Sequence, residues 1–433
     1  MTEESANPFV TLSFMMNPLY NIGIWCYTSA IALAATVNPK ARLWHRGRKG
    51  LMERIEQRLA TLHQPRIWIH VASLGEFEQA RPIIEQIRQQ QHNVAIVVTF
   101  FSPSGYEIRK EYPLADAIFY LPADTPHNAK RLLDIINPEI AIFIKYEYWL
   151  NYLNELRRRE ITTFLVSAIF RKESIFFKPW GSIWRQALAT FSTIFVQNSD
   201  SQYLLKQIGI ERVVVCGDTR FDRVMTIAST SQPIPAIESF ARGRRLFVAG
   251  STWPKDEEMI VELANNNPNI GFVIAPHELE SQHIASIINR CRDGAIRYSE
   301  WSDRTNATNC QVMILDTMGM LASAYRYATW AYVGGGFGAG IHNTLEPAVY
   351  GLPIVFGPRY HKFNEACEMI SRGAARSIRN YEELAAWFEQ MSNNATLWQQ
   401  AHDAAKRYTA ECCGATARIM EDIARALKSD SQR

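Results

Sequence analysis

The sequence predicts an α/β protein built on two doubly wound parallel sheets, and three observations carry this. Past residue 65, short apolar runs alternate with helix-patterned segments. The runs are continuously apolar rather than alternating, as expected of strands covered on both faces, and helices between strands require parallel crossovers. The pattern breaks once, at the Ser/Thr/Pro-rich stretch Ala228–Phe240. It then restarts in the same order of strand, small-residue turn and acidic helix start.

In the first half the strand-like runs are IWIHVA, NVAIVVTF, AIFYLP, EIAIFI, TTFLVSA, TIFVQN and RVVVCGD, with helical stretches such as Asn128–Ile136 and Asp200–Ile208 between them. In the second half they are RRLFVAG, IGFVIAP, CQVMILD, TWAYVGGG and LPIVFG, followed by a largely helical tail from Tyr381. The expected division is an N-terminal apolar segment with a basic flank (1–50), a first Rossmann-like domain (51–228), a linker (229–241) and a second Rossmann-like domain with the terminal helices (242–433). Sheets of this kind bind ligands beyond the carboxyl ends of their strands. Two such domains facing each other would place a substrate in the cleft between them.

A chain of 433 residues is long enough for two or three full cores, and 47% hydrophobic with 21% charged residues is ordinary for a globular protein. The net charge of +3 is too small to imply a nucleic-acid partner. Seven cysteines without a C-x-x-C pair fit a reducing compartment and offer no metal-binding spacing. Charge is absent from Ser5 to Pro39, and Pro18–Val37 has about the length needed to cross a bilayer core, though Asn21, Thr28 and Ser29 interrupt it. Lys40, Arg42, Arg46, Arg48, Lys49 and Arg54 follow at once, which places the body of the chain on the cytoplasmic side and argues against a cleaved signal peptide. A signal anchor, a helix lying in the membrane interface and a buried hairpin all remain open, and the basic cluster also suits anionic lipid headgroups.

The strongest local signal is YVGGGFGAGIHNTLEPAVYGLPIVFGP, Tyr332–Pro358: a strand, a glycine cluster, then Asn343-Thr-Leu-Glu346-Pro entering a helix. Glycines let backbone N–H groups approach a phosphate, and a helix start favours an anion. Neither a P-loop nor the usual dinucleotide fingerprint is present. Glu346 either holds a ribose diol or complements the helix dipole. Arg220, in CGDTRFD, is a phosphate partner or a surface arginine. Ser251 and Thr252 cap a helix or meet phosphate oxygens, and His277 binds ligand or is structural. The loop Leu315–Leu321, with Met318 and Gly319, offers backbone to a base edge. In the first half, Ser73-Leu-Gly-Glu76 is either a capping box or a helix start that carries a general base. Glu147 ends a strand on the same sheet edge, as a second carboxylate of the site or as a salt-bridge partner of Lys145, Arg157 or Arg158. The aromatic and basic segment Phe170–Arg185 suits a membrane surface or core packing, and the absence of a G-x-S-x-G elbow argues against a serine hydrolase.

Taken together and in this order, the motifs resemble the 3-deoxy-D-manno-octulosonate (Kdo) transferase family of lipopolysaccharide synthesis over nearly the whole chain. The family's S-x-G-E matches Ser73-Leu-Gly75-Glu76, its E-x-E-x-W matches Lys145-Tyr-Glu147-Tyr-Trp149, and its G-N-x-K matches Gly217-Asp-Thr-Arg220. The G-S-T/H turn matches Gly250-Ser251-Thr252, G-G-H-N-x-x-E-P matches Gly340-Ile-His342-Asn343-Thr-Leu-Glu346-Pro347, and H-x-F-N matches His361-Lys-Phe363-Asn364. An arginine expected beside His277 is absent, and Met320 stands where D-T-M-G-E has its acid. The resemblance implies a GT-B glycosyltransferase that needs no metal or other cofactor and inverts configuration. It would move Kdo from CMP-Kdo to a lipid A precursor, lipid IVA, at the cytoplasmic face of the inner membrane. Glu76 would be the base and Glu147 its companion. Arg220, Ser251, Thr252, His277, Met318, Gly319, His342, Asn343 and Glu346 would bind the nucleotide sugar. Ser73, Arg46, Arg48 and Lys49 would face the acceptor and an anionic membrane. The alternatives are a GT-B enzyme using a UDP-sugar on a lipid-linked acceptor, and a non-catalytic, membrane-attached nucleotide-binding protein.

Overall fold

Each long apolar run becomes a strand. The computed structural model describes residues 8–90, 93–301 and 310–430, in two units: the chain up to Arg223 together with Gly414 onward, and Val224–Cys413. The first unit holds β1 (Arg66–Val71), β2 (Ala95–Phe100), β3 (Ala117–Tyr120), β4 (Ile140–Ile144), β5 (Thr162–Ala168), β6 (Thr193–Val196) and β7 (Val213–Val215). All pair in parallel, in the order β3-β2-β1-β4-β5-β6-β7. On β1, Ile67, Ile69 and Val71 pack with Phe77 and Ile83 on one face, while Trp68 packs with Phe143 and Tyr152 on the other. That two-sided cover is why the run is apolar at nearly every position.

The second unit holds β8 (Leu246–Thr252), β9 (Gly271–Pro276), β10 (Ala295–Arg297), β11 (Val312–Ile314), β12 (Trp330–Val333), β13 (Ile354–Phe356) and β14 (Ala375–Ser377), again all parallel, in the order β10-β11-β9-β8-β12-β13-β14. The edge strands β10 and β14 were not expected. Each is three residues long and neither is buried at any position, so no apolar run marks it. The stretch expected as a linker is mostly helix, Thr219–Thr230 and then Pro235–Ala241, because Ile237 and Phe240 are buried apolar anchors at helical spacing.

The terminal helix Ala415–Asp430 belongs to the first unit, not to the second as its position in the sequence suggested. Its Ile419, Met420, Ile423 and Leu427 join the core against the first sheet. Asp222 fixes its start by accepting the backbone N–H of Gly414 at 2.6 Å and of Thr416 at 2.7 Å, as a helix N-terminus demands of a nearby carboxylate.

The N-terminal apolar segment forms the helix Pro8–Ala34, and among the described residues no helix is long and apolar enough to cross a membrane. The polar interruptions explain why. The Tyr20 hydroxyl donates to Asp124 Oδ2 at 2.6 Å, and Asn151 Nδ2 donates to Asn21 Oδ1 at 2.9 Å. Both ties reach into the body of the first unit. The outward side leaves Trp25 68% and Leu33 75% exposed, which removes the buried hairpin.

Asp124 is buried and also accepts the backbone N–H groups of Asn151 and Tyr152. Burial pushes its carboxyl up to about 6, against the opposing pull of the Tyr20 and backbone hydrogen bonds. A raised carboxyl pKa contributes stability that is complete below the unfolded value of 3.8 and is lost as pH rises through about 6. Lowering pH from 7 to 5 is therefore expected to recover about 1 kcal/mol from this group. Asp124→Asn should remove that part of the pH dependence in urea unfolding, and an unchanged dependence would refute the assignment.

Candidate functional site

The order of the first sheet reverses between β1 and β4, which are paired neighbours with His70 opposite Phe143. This is the switch point where doubly wound sheets bind ligands. Beyond β1, Ser73 opens the helix Leu74–Gln90, its carbonyl accepting the Phe77 N–H at 3.0 Å. The Ser73 hydroxyl donates to Glu76 Oε2. The S-x-x-E pair is thus joined side chain to side chain, and the hydroxyl serves to hold the half-buried carboxylate.

Beyond β4, Glu147 is 8% exposed, and its partner is none of the cations weighed from the sequence. His70 Nε2 lies 3.0 Å from Glu147 Oε2, and the Trp149 indole N–H lies 2.6 Å from the same oxygen. On its other side His70 Nδ1 sits 2.9 Å from Thr99 Oγ1, which accepts the Trp68 indole N–H at 2.8 Å. The result is a buried chain Trp68–Thr99–His70–Glu147–Trp149. Glu147 Oε1 makes no hydrogen bond among the described residues and is not sealed off, so it is the oxygen left for a ligand. His70 was missed in the sequence; its signal is one polar side chain inside an otherwise apolar strand.

Tyr146 shows what surrounds this edge. Burial raises its hydroxyl pKa, Arg171 and Arg220 oppose the rise, and Glu76 and Asp218 add to it. Glu76 and Arg220 are therefore within electrostatic reach of one phenol. Arg220, expected with the nucleotide residues, belongs to the first unit and pairs with Asp218 at 2.8 Å. Burial alone would raise the Asp218 carboxyl, but Arg220 and the amide of Gln79 hold it below the usual range.

In the second unit the order reverses between β8 and β12. Thr252 faces inward, 1% exposed, and donates to the buried Glu257, which His283 also contacts at 3.0 Å; it is a structural residue rather than a phosphate contact. Ser251, at φ 53°, is the half-exposed member of the turn. His277, Trp253 and His342 form a ring stack at the strand ends. Asn343 Nδ2 donates to Glu346 Oε1 at 3.0 Å, and Asn343 Oδ1 accepts the Leu345 N–H, so the pair is braced at the start of a one-turn helix. Met318 is 85% exposed in a loop where Gly319 takes φ 86°, in the second unit. A hollow of about 830 Å³ lined by Tyr360, His361, Arg376 and Trp387 lies beside edge strand β14 rather than at the glycine loop.

The glycine cluster admits a close backbone approach. A Cβ on Gly334 would fall 2.2 Å from the Ser251 carbonyl oxygen and 2.7 Å from its carbon. Backbone cannot step aside cheaply, so Gly334→Ala is expected to cost about 2 kcal/mol or more. Thermal unfolding would measure this, and a wild-type melting curve would refute the steric reading.

Of the basic residues expected at the membrane, Arg46 and Lys49 are exposed. Arg48 is turned inward. Its guanidinium donates to the carbonyls of Leu121, Phe101 and Trp44 and lies 3.8 Å over the Trp44 ring. Burial lowers its pKa to about 9. It binds the N-terminal helices to the first sheet and is not free for a headgroup.

Residues 49–223 match the family described as 3-Deoxy-D-manno-octulosonic-acid transferase (kdotransferase). A 3-deoxy-D-manno-octulosonic acid transferase of Aquifex aeolicus is 27% identical, covering 73% of this chain and 83% of that one. One of Haemophilus influenzae is 26% identical, covering 82% and 86%. A UDP-GlcNAc 2-epimerase from Neisseria meningitidis, solved bound to UDP-GlcNAc, shares the fold with a TM-score of 0.60 at 13% identity, over 83% of this chain and 100% of that one. The chain thus matches the Kdo transferase family model over residues 49–223, is similar in sequence to 3-deoxy-D-manno-octulosonic acid transferases along most of its length, and folds into two doubly wound sheets.

Proposed function

We propose that this protein is an inverting glycosyltransferase that moves Kdo from CMP-Kdo to a lipid A precursor, lipid IVA. One observation carries the reading: the motif residues gather at the two switch points, with Glu76 and Glu147 beyond β1 and β4, Ser251 at the end of β8, and the glycine loop, His342 and Asn343 beyond β12. In the transfer, the acceptor hydroxyl oxygen bonds to the anomeric carbon of Kdo as the bond from that carbon to the phosphate oxygen breaks. CMP leaves with the electron pair, and the hydroxyl proton passes to Glu76. Charge developing on the phosphate is met by backbone N–H groups of the glycine loop and by Asn343.

The acceptor reading extends to location. The helix Pro8–Ala34 would lie in the membrane interface on its outward side, which carries Leu19, Ile22, Trp25 and Leu33, with exposed Lys40, Arg46 and Lys49 directed to anionic headgroups at the cytoplasmic face of the inner membrane. Flotation with vesicles of anionic lipid against neutral lipid tests this; equal recovery with both removes the charge argument, and no recovery with either removes the surface.

The expected result for the donor is thermal stabilisation by CMP and not by UDP. For the reaction it is a Kdo-bearing lipid product in mass spectra after incubation with CMP-Kdo and lipid IVA. Stabilisation by UDP alone would redirect the reading to a UDP-sugar enzyme. CMP binding with no product would leave a nucleotide-binding protein without transfer.

A further inference from the structure

We infer that His342 meets its ligand as an uncharged hydrogen-bond donor, through Nδ1–H, and that Trp253 is the positioning residue that fixes this state. The inference deepens the proposed nucleotide-sugar site and rests on that reading for the identity of the ligand. Trp253 directly follows β8, and His342 lies in the loop after β12, so the two come from the neighbouring strands where the second sheet reverses its order.

An indole N–H can only donate. Trp253 Nε1 lies 3.1 Å from His342 Nε2, so that nitrogen must accept and carries no proton. The ring is then neutral, with its single proton on Nδ1. His277 stacks against both rings, 4.6 Å from Trp253 at 23° and 4.7 Å from His342 at 30°. A proton added to His342 would set a charge against a second imidazole. Burial first, and His277 second, hold the His342 pKa below its ordinary value. Gly335 backs the ring: a Cβ there would fall 2.9 Å from His342 Cδ2. Asp256 is the carboxylate behind this wall, and its oxygens accept the backbone N–H groups of Trp253 and Gly335 and the Tyr332 hydroxyl. Its charge is directed into the frame that holds the ring. Nδ1 makes no hydrogen bond among the described residues and is not buried, so the proton it carries is the one offered outward.

A neutral imidazole gives up its remaining proton only at very high pH. His342 therefore stabilises the departing phosphate by hydrogen bonding and does not protonate it, and donor affinity does not follow a histidine titration.

The test begins with ¹⁵N-histidine NMR of the full chain, the His342 signals being assigned by their loss in His342→Gln. The expected wild-type spectrum is the Nδ1–H tautomer, uncharged at pH 7. Trp253→Phe keeps a ring in the stack and removes the donor. In that variant His342 should titrate closer to about 6.5. Its KM for CMP-Kdo should fall by about threefold or more, relative to wild type, between pH 8 and pH 6 as the ring gains charge, with kcat moving less than KM. An Nε2–H tautomer or an imidazolium in the wild type at pH 7 overturns the inference. So does a Trp253→Phe protein whose tautomer and KM–pH profile match the wild type. If the Phe variant does not fold, the wild-type spectrum alone decides. If the tautomer is as expected but CMP-Kdo is neither bound nor turned over, the functional reading has failed while the charge state of His342 stands.

Discussion

Glu76→Gln is expected to lower kcat by about 10²–10⁴-fold while leaving the fold and the thermal response to CMP close to wild type. The amide matches the carboxylate in shape and still accepts from the Ser73 hydroxyl, but it cannot take a proton from the acceptor. The stability cost is small, because the change removes one half-buried charge from the first turn of a helix, an interaction worth about 0.3–1 kcal/mol. Steady-state transfer measured beside urea unfolding separates the two roles. A variant that retains a tenth or more of wild-type kcat would show that Glu76 is not the base, whereas lost activity together with a collapsed fold would mean the carboxylate is chiefly structural. Ser73→Ala should fall between wild type and Glu76→Gln, since it frees the carboxylate to turn without neutralising it.

His70→Leu is expected to cost about 3 kcal/mol of the first unit's stability and to reduce kcat by about tenfold or more. The imidazole is fully buried, sits 3.0 Å from Glu147 Oε2 and is contacted at Nδ1 by Thr99. Leucine fills similar space without a donor. Glu147 then keeps only the Trp149 indole N–H, and the orientation of its outward oxygen is no longer fixed. His70→Gln supplies an amide N–H for Glu147 and a carbonyl for Thr99, and should recover part of both losses. Equal damage from Leu and Gln would assign His70 to packing alone. No damage from either would dissolve the proposed chain of contacts.

The first sheet was legible because its core strands are long apolar runs, and the ends of those runs marked the site edge. Glu76 and Glu147 were placed on one edge by counting from the strands. Their partners were not legible, because pairing across a sheet is not local. His70 and Glu147 are 77 positions apart, and Trp253 and His342 are 89 apart. A motif says which residue types stand near a strand end; the rotamers that bring an indole N–H to one atom of one ring depend on the packing around them. Thr252 and Arg48 show the converse. Each is of the right type and in the right stretch of chain, yet each is turned inward by a bonding opportunity that only the folded backbone creates, Glu257 for one and three carbonyls for the other. The terminal helix misled for a related reason. An apolar stripe announces that something must cover it, and adjacency in sequence is weak evidence for what does.

That helix has a consequence for how the protein is made. Ile419, Met420, Ile423 and Leu427 lie against the sheet whose strands β1–β7 leave the ribosome before those of the second unit. The whole of Val224–Cys413 must be synthesised before the covering helix emerges. During that interval the nascent first unit presents uncovered apolar surface, in the order of synthesis that favours chaperone capture and aggregation. Release of the last turns of chain, rather than completion of the first sheet, is then the event that commits the first unit to its native state. A frameshift or stop codon near residue 414 would harm the first unit more than the unit beside it in sequence.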